Sequence, residues 1–250
     1  MTFRLSPFVL LPLIALVVVG LSGLGFWQYD RYTYKQDLEA ERAARIAAPP
    51  LDAVEAAAVP LDQIDYRRIV ARGTWDFSNA LTIGSRFRFG QQGEEVVVPL
   101  LPDGGGDAIL INRGWYPLSE RESVRSRLAA EPVAAIEGLA RYAADGGGRV
   151  TAAGLWTRFD PASMAASLPY AAAPWAVIEG DLVDRVPLTP PVDLPAQWYV
   201  AYDDTVAHFE YMLTWFGAAI TLLVVSYLRL WHQRGSAPQT AAEETPTGVS

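Results

Sequence analysis

Two histidines, His208 and His232, are the only imidazoles in a 250-residue chain that has no cysteine. A Ser-His-Asp or Cys-His hydrolase needs an imidazole beside its nucleophile, and residues 28–200 contain none. The missing thiols remove disulfides, Cys-ligated zinc, iron–sulfur clusters, thiol redox chemistry and copper carriage by paired thiolates. Paired carboxylates for glycoside chemistry remain compatible with the composition, but no pair stands out. The glycine triplets at 104–106 and 146–148 are each preceded by an aspartate and lack the Lys-Ser/Thr of a phosphate loop, so they read as turns. Chemistry therefore narrows to His208. With a helix starting near Asp204 or Thr205, Tyr211, Met212 and Trp215 share its face at i+3, i+4 and i+7. An imidazole ringed by flat apolar groups at a membrane boundary suits a haem, with a neutral ring nitrogen as axial ligand. The same residues also suit an interfacial histidine hydrogen-bonded to Asp204 beside an aromatic belt. Met212 cannot complete a His/Met pair from the same side of one helix. Asp204 and His208 share a face without Glu210, and Asp204 reads better as a helix cap than as a metal ligand. His232 lies ~36 Å further along a helix, too far to share one haem, and reads as an interface anchor.

The elements that must position His208 are apolar. Residues 8–26 run nineteen positions without a charge, ~28 Å of helix, enough for a bilayer core once Trp27 sits in the interface. Residues 211–228 form a second uncharged run of eighteen, followed by Arg229, Trp231, His232 and Arg234. The first run is longer than a signal-peptide core and no A-x-A-like site follows it, so it reads as an uncleaved anchor. The predicted organisation is a first transmembrane helix at 8–27 and a helical extension at 28–48 stopped by Pro49-Pro50. A β-rich domain at 49–205, a second transmembrane helix at 206–230 and a disordered tail at 231–250 follow. Arg4, Arg229 and Arg234 favour cytoplasmic termini. Arg31, Lys35, Arg42 and Arg45 after the first span pull the other way, but a loop of this length translocates largely regardless of charge. No Lys or Arg lies between Val186 and Glu210, which agrees with an exported flank. Residues 28–210 carry 17 basic and 26 acidic residues, a net of −9. The expected location is a bacterial inner membrane, in contact with lipid, with the large domain periplasmic. The acidic balance, 20 basic against 28 acidic residues, rules against a nucleic-acid partner. Glu210 at the boundary is costly unless paired, and Arg31 is its expected partner. Gly20 with Gly23, and Gly217 with Thr221, are spacings that would let helices approach closely.

Between the spans the pattern changes to short β-branched and aromatic runs separated by turn residues. Strands are predicted at 67–75, 80–89, 94–101, 108–115, 134–142, 175–181 and 198–202, with short helices at 120–128 and 161–168. The expected fold class is a membrane-anchored α+β chain. Its two transmembrane helices flank a mainly antiparallel β domain, sandwich or barrel-like, outside the cytoplasm.

Four segments resemble the Surfeit locus protein 1 family of cytochrome c oxidase assembly factors. Leu24-Gly25-Phe26-Trp27-Gln28-Tyr29-Asp30-Arg31, with Lys35 a turn later, is similar to the family's L-G-x-W-Q-x-x-R. Tyr66-Arg67-Arg68-Ile69 running into Gly73-Thr74-Trp75 is similar to its Y-R-R-V…G-x-F, and Leu110-Ile111-Asn112-Arg113-Gly114-Trp115-Tyr116-Pro117 to its V-N-R-G-W-V-P. His208-Phe209-Glu210-Tyr211-Met212-Leu213-Thr214-Trp215-Phe216 is similar to its H-L-x-Y-A-x-T-W-F, departing at Met212 and, just before the motif, at Ala207. The resemblance implies a chaperone, and with no redox or hydrolytic constellation visible the chain is not read as an enzyme. It would receive haem a, with the haem a synthesis enzyme as a candidate donor, and present it to the oxidase catalytic subunit. It implies His208 as ligand to the haem iron, with Tyr211, Trp215, Trp27, Gln28 and Arg31 around the cargo. Arg113 would hold a propionate or satisfy a buried carboxylate. The alternatives are a scaffold that stabilises an oxidase intermediate without touching haem, and an enzyme using carboxylates or tyrosine.

Overall fold

A computed structural model of the protein describes residues 7–131, 134–142, 147–183, 187–200 and 207–235. Arg4, the proposed cap Asp204, turn residues 145–146, strand residues 201–202, the Arg234 side chain and the tail after 235 lie outside the described residues. The chain divides into two units, Met1–Asp37 with Thr205–Ser250, and Leu38–Asp204.

The first unit is a pair of helices. The first span and its extension form one continuous helix, α1 (Pro7–Ala47), with Pro12 inside its opening turns. Both α1 and the last helix of the chain, His208–Gly235, carry an 18-residue stretch apolar enough to cross a membrane. Only 6% of each stretch is buried within the protein, as suits a lipid-facing helix and not a core one. In the C-terminal helix the sheltered positions recur every three or four residues, at His208, Met212, Trp215, Ala219, Leu222 and Ser226, which is a helix–helix seam. The close approach comes from Gly25, where an added Cβ would lie 2.7 Å from the Phe216 ring. Gly20, Gly23 and Gly217 meet nothing within 4 Å, so the expected small-residue contacts at those positions are not made. Phe216 also meets Phe26 edge-on at 5.2 Å between ring centres.

The second unit is a closed barrel. Its elements are β1 (Leu51–Asp52), α2 (Ala53–Ala57), α3 (Leu61–Ile64), β2 (Arg68–Trp75), β3 (Leu81–Arg88), β4 (Gln91–Pro102), β5 (Ala108–Pro117) and α4 (Arg121–Ala129). They continue with β6 (Ala134–Arg141), α5 (Pro161–Ala166), β7 (Ala172–Glu179), β8 (Asp181–Val183) and β9 (Trp198–Val200); the C-terminal helix is α6. The sheet order is β1-β2-β6-β7-β5-β4-β3, and an added pairing of β2 with β4 closes a ring of five strands, β2-β6-β7-β5-β4. Closure needs a strand crossing with no side chain in the way. Gly73 supplies it, since a Cβ there would overlap the Leu101 carbonyl oxygen. The ring is antiparallel except for β5 beside β7. The parallel neighbours are unforeseen in the sequence reading because their connection is split by β6; with α4 and α5 it is ample for a crossover.

Burial follows the ring. Strand β2 alternates buried and open positions, whereas β4 is buried continuously from Gly93 to Leu100. On one face Val96, Val98 and Leu100 join the main core with Ile109, Ile111 and Val177. On the other, Val97 packs with Leu110, Trp156 and Met164 under α5. Helix α4 adds Val124 and Leu128 to the main core. It is preceded by a deeply buried carboxylate, Glu94, that accepts from Arg121 Nε (3.0 Å) and from the Tyr116 hydroxyl (3.4 Å).

The Asn-Arg-Gly-Trp motif is a β-bulge. Val96 pairs with Gly114 and Val97 with Asn112, so Arg113 is the extra residue. Asn112 Oδ1 accepts from the Gly114 N–H at 3.0 Å, and Gly114 has φ +109° with its missing Cβ aimed at the Ala196 carbonyl oxygen. Gly114→Ala is therefore expected to cost about 1–3 kcal/mol of barrel stability, read as a lowered denaturant midpoint. An unchanged midpoint would mean the bulge relaxes freely.

Candidate functional site

His208 opens α6, and its ring turns toward α1. Its Nδ1 lies 2.6 Å from Gln28 Oε1. An amide oxygen only accepts, so Nδ1 is the donor in this contact, and a ring protonated there alone has its lone pair on Nε2. Both side chains are shielded, His208 being 9% and Gln28 8% exposed. Trp27 stands edge-on to the imidazole, 6.5 Å between ring centres and 86° between planes. One turn further along α1, Tyr32 meets Phe209 at 5.6 Å. The site is one imidazole oriented by one amide and walled by aromatic rings. Among the described residues no group of three or more His, Asp or Glu side chains could hold a metal ion.

Of the residues expected around His208, Gln28 and Trp27 are in place, and Met212 and Trp215 lie partly sheltered on the same seam. Tyr211 is 52% exposed. At i+3 it sits ~60° around the helix from His208, and the seam follows i+4 and i+7 instead. The pairing of Arg31 with Glu210 is not made. Arg31 stacks over Tyr34, three residues on, at 5.2 Å, and among the described residues no ion pair joins it to Glu210. Glu210 needs no such partner, because it lies in the first turn of α6, where the helix dipole favours a carboxylate. His232 Nδ1 lies 3.1 Å from the Leu228 carbonyl oxygen.

Arg113 belongs to the barrel. Its side chain is buried beside Glu179, which accepts from Nε, while Nη2 donates to Glu131 at 3.0 Å. Its guanidinium lies 4.3 Å from the centre of the Trp75 ring. Gln197 Nε2 also donates to Glu179, at 3.0 Å. Burial pushes the Glu179 carboxyl above its ordinary range, and Arg113 opposes that rise. Residue spacing does not connect these partners. Arg113 and Glu179 stand 66 residues apart and Gln28 and His208 stand 180 apart, with no periodicity connecting either pair. The one available signal was a lone acid ending the apolar strand AAPWAVIE.

Against this geometry, the sequence model described as the SURF1 family matches residues 15–220, most of the chain and all four motifs. The chain belongs to the SURF1 family. Among relatives of this family member, a SURF1-like protein of Monosiga brevicollis is 26% identical over 239 residues, covering 85% of each chain. Surfeit locus protein 1 of Homo sapiens is 33% identical over 117 residues, 41% of this chain and 39% of the relative. The cytochrome oxidase assembly protein SHY1 of Saccharomyces cerevisiae is 26% identical over 93 residues, 37% of this chain and 24% of the relative. The matches to the human and yeast proteins thus span well under half of those relatives' lengths.

Proposed function

We propose that this chain is an assembly factor for haem-copper cytochrome c oxidase that receives haem a at His208 and presents it to the catalytic subunit. The observation that carries the reading is the Gln28–His208 pair. Histidines that ligate metals commonly donate their second ring N–H to a fixed acceptor, which leaves the other nitrogen basic and oriented. Trp27 and Trp215 supply flat apolar walls for a porphyrin, and the adjoining spans supply lipid for its hydrophobic tail. Family membership and the name of the yeast relative support the oxidase part of the proposal. The role is carriage and not catalysis, since a single imidazole beside an amide has no nucleophile to activate. The barrel is assigned to the periplasmic side of a bacterial inner membrane and both termini to the cytoplasm, on the basis of Arg229 just after the second span and the lack of any Lys or Arg at 187–210 just before it. The haem a synthesis enzyme is the natural donor.

The low exposure of His208 favours a second reading, in which the Gln28–His208 bond is only a clasp between helices and the protein scaffolds an oxidase intermediate without haem. Absorbance spectra of protein purified from cells that make haem a separate the two. Haem a in the unaltered chain and none in His208→Ala is the expected result; no haem in either, or equal haem in both, sinks the ligand assignment.

A further inference from the structure

The β3–β4 hairpin does not fit the haem reading, and its composition is unusual for an acidic chain. Strand register pairs Arg88 with Gln91, leaving a two-residue turn of Phe89 (φ +51°) and Gly90 (φ +75°). Residues 85–92, SRFRFGQQ, contain two arginines, two phenylalanines and no carboxylate. Phe87 stands 72% exposed. Behind it the tip is rigidly backed: the Phe89 ring meets Trp115 at 5.5 Å and Trp198 at 5.7 Å, and the Arg88 guanidinium lies 5.2 Å from the centre of the Trp198 ring. Arg88 and Arg86 both reach the buried carboxylate of Glu95, at 2.8 and 3.8 Å. The connection between β8 and β9 borders the same aromatic cluster, for Ala196 bonds to the Trp115 backbone. That connection holds out Leu188 and Val192, 94% and 99% exposed.

We propose that this tip is a third membrane contact of the chain, which seats Phe87 and Arg88 in the headgroup layer of an anionic bilayer. Aromatic rings with adjacent arginines are the residues that anchor proteins at the membrane–water boundary. Covalent connection favours lipid over a protein partner as the occupant. Trp198 lies on the last strand before α6, and the seven residues 201–207 between them extend to roughly 25 Å at most. The proposal rests on α6 spanning a membrane and is independent of haem.

The absence of cysteine permits a clean test on the full chain in nanodiscs. A spin label on Gln91→Cys, next to the turn, reports the tip while leaving Phe87 and Arg88 intact. A label on Val54→Cys, an exposed position on α2, gives the water-facing reference. In discs of phosphatidylcholine with phosphatidylglycerol, the label at 91 is expected to be about threefold or more less accessible to an aqueous nickel chelate than the label at 54. That protection should fall in phosphatidylcholine alone and in the Phe87→Ser/Arg88→Gln background. Equal accessibility at the two positions in anionic discs overturns the proposal. So does protection that appears only when oxidase subunits are added, which would make the tip a protein-docking site.

Discussion

Replacing Gln28 by leucine is expected to weaken haem a retention by about 10–100-fold, the usual cost of losing the partner that orients a ligating histidine. His208→Ala is expected to abolish retention. Leucine keeps the bulk of Gln28 but offers no acceptor, so the buried Nδ1–H loses its 2.6 Å partner and the proton is free to move to Nε2, which then has no lone pair for iron. Gln28→Glu retains an oxygen at that place and should hold haem nearly as well as glutamine. Transfer of haem to excess apo-globin measures the loss rate. A haem-independent readout is also available, because the chain has only two imidazoles. Nitrogen-15 histidine spectra of the unaltered protein should show His208 protonated at Nδ1, and Gln28→Leu should mix the two tautomers. Unchanged spectra and unchanged retention in Gln28→Leu would remove Gln28 from the site, whereas haem retained by His208→Ala would remove the ligand itself.

Arg113→Met is expected to destabilise the barrel by about 3–5 kcal/mol, because it strands a buried carboxylate without its cation. Glu179 loses the Nε donor and Trp75 loses the guanidinium stacked on it. Burial already raises the Glu179 carboxyl in the folded protein, and Arg113 is the main influence holding it down. Without Arg113 the folded state binds the Glu179 proton still more tightly than the unfolded chain does. Stability of the variant should therefore be greatest below the ordinary carboxylate range and fall as pH rises through the raised value. The unaltered protein should show the same slope more weakly. Denaturant midpoints between pH 7 and pH 4.5 measure both effects. Arg113→Met/Glu179→Gln should recover much of the loss and flatten the slope, and a loss that is independent of pH and not recovered would mean that packing, not the ion pair, carries the effect.

The sequence was most legible where signals were local. Two uncharged runs marked α1 and α6, and β-branched segments between glycine and asparagine turns marked the ring strands within a few residues. Strand β4 is longer than expected because Gln91 and Gln92 look like loop residues but extend the hairpin with Phe87 and Arg88. β1 and α3 passed unnoticed because two and four residues hold no period. The site was half legible. Helical spacing brought Met212 and Trp215 to the face of His208, but a wheel alone cannot say which part of that face meets a neighbour. Tyr211 and Arg31 were thus assigned contacts that the seam and Tyr34 decide otherwise. Pairings across 66 and 180 residues depend on the closed fold and leave no trace in neighbouring letters.

Ring closure also sets an order of events during synthesis. Strands β3, β4 and β5 can pair in turn, with β2 on the end of β4, as soon as residue 117 has emerged, but β2 and β5 meet only through β4 until β6 and β7 are available. The ring stays open until Glu179 has left the ribosome, and Arg113 waits just as long for its partner. A chain truncated before β7 would hold an arginine in the bulge with Glu179 missing and two strand edges unpaired. Such a fragment is a substrate for proteases, not a smaller working domain, so the barrel is complete only when nearly all of it has been made.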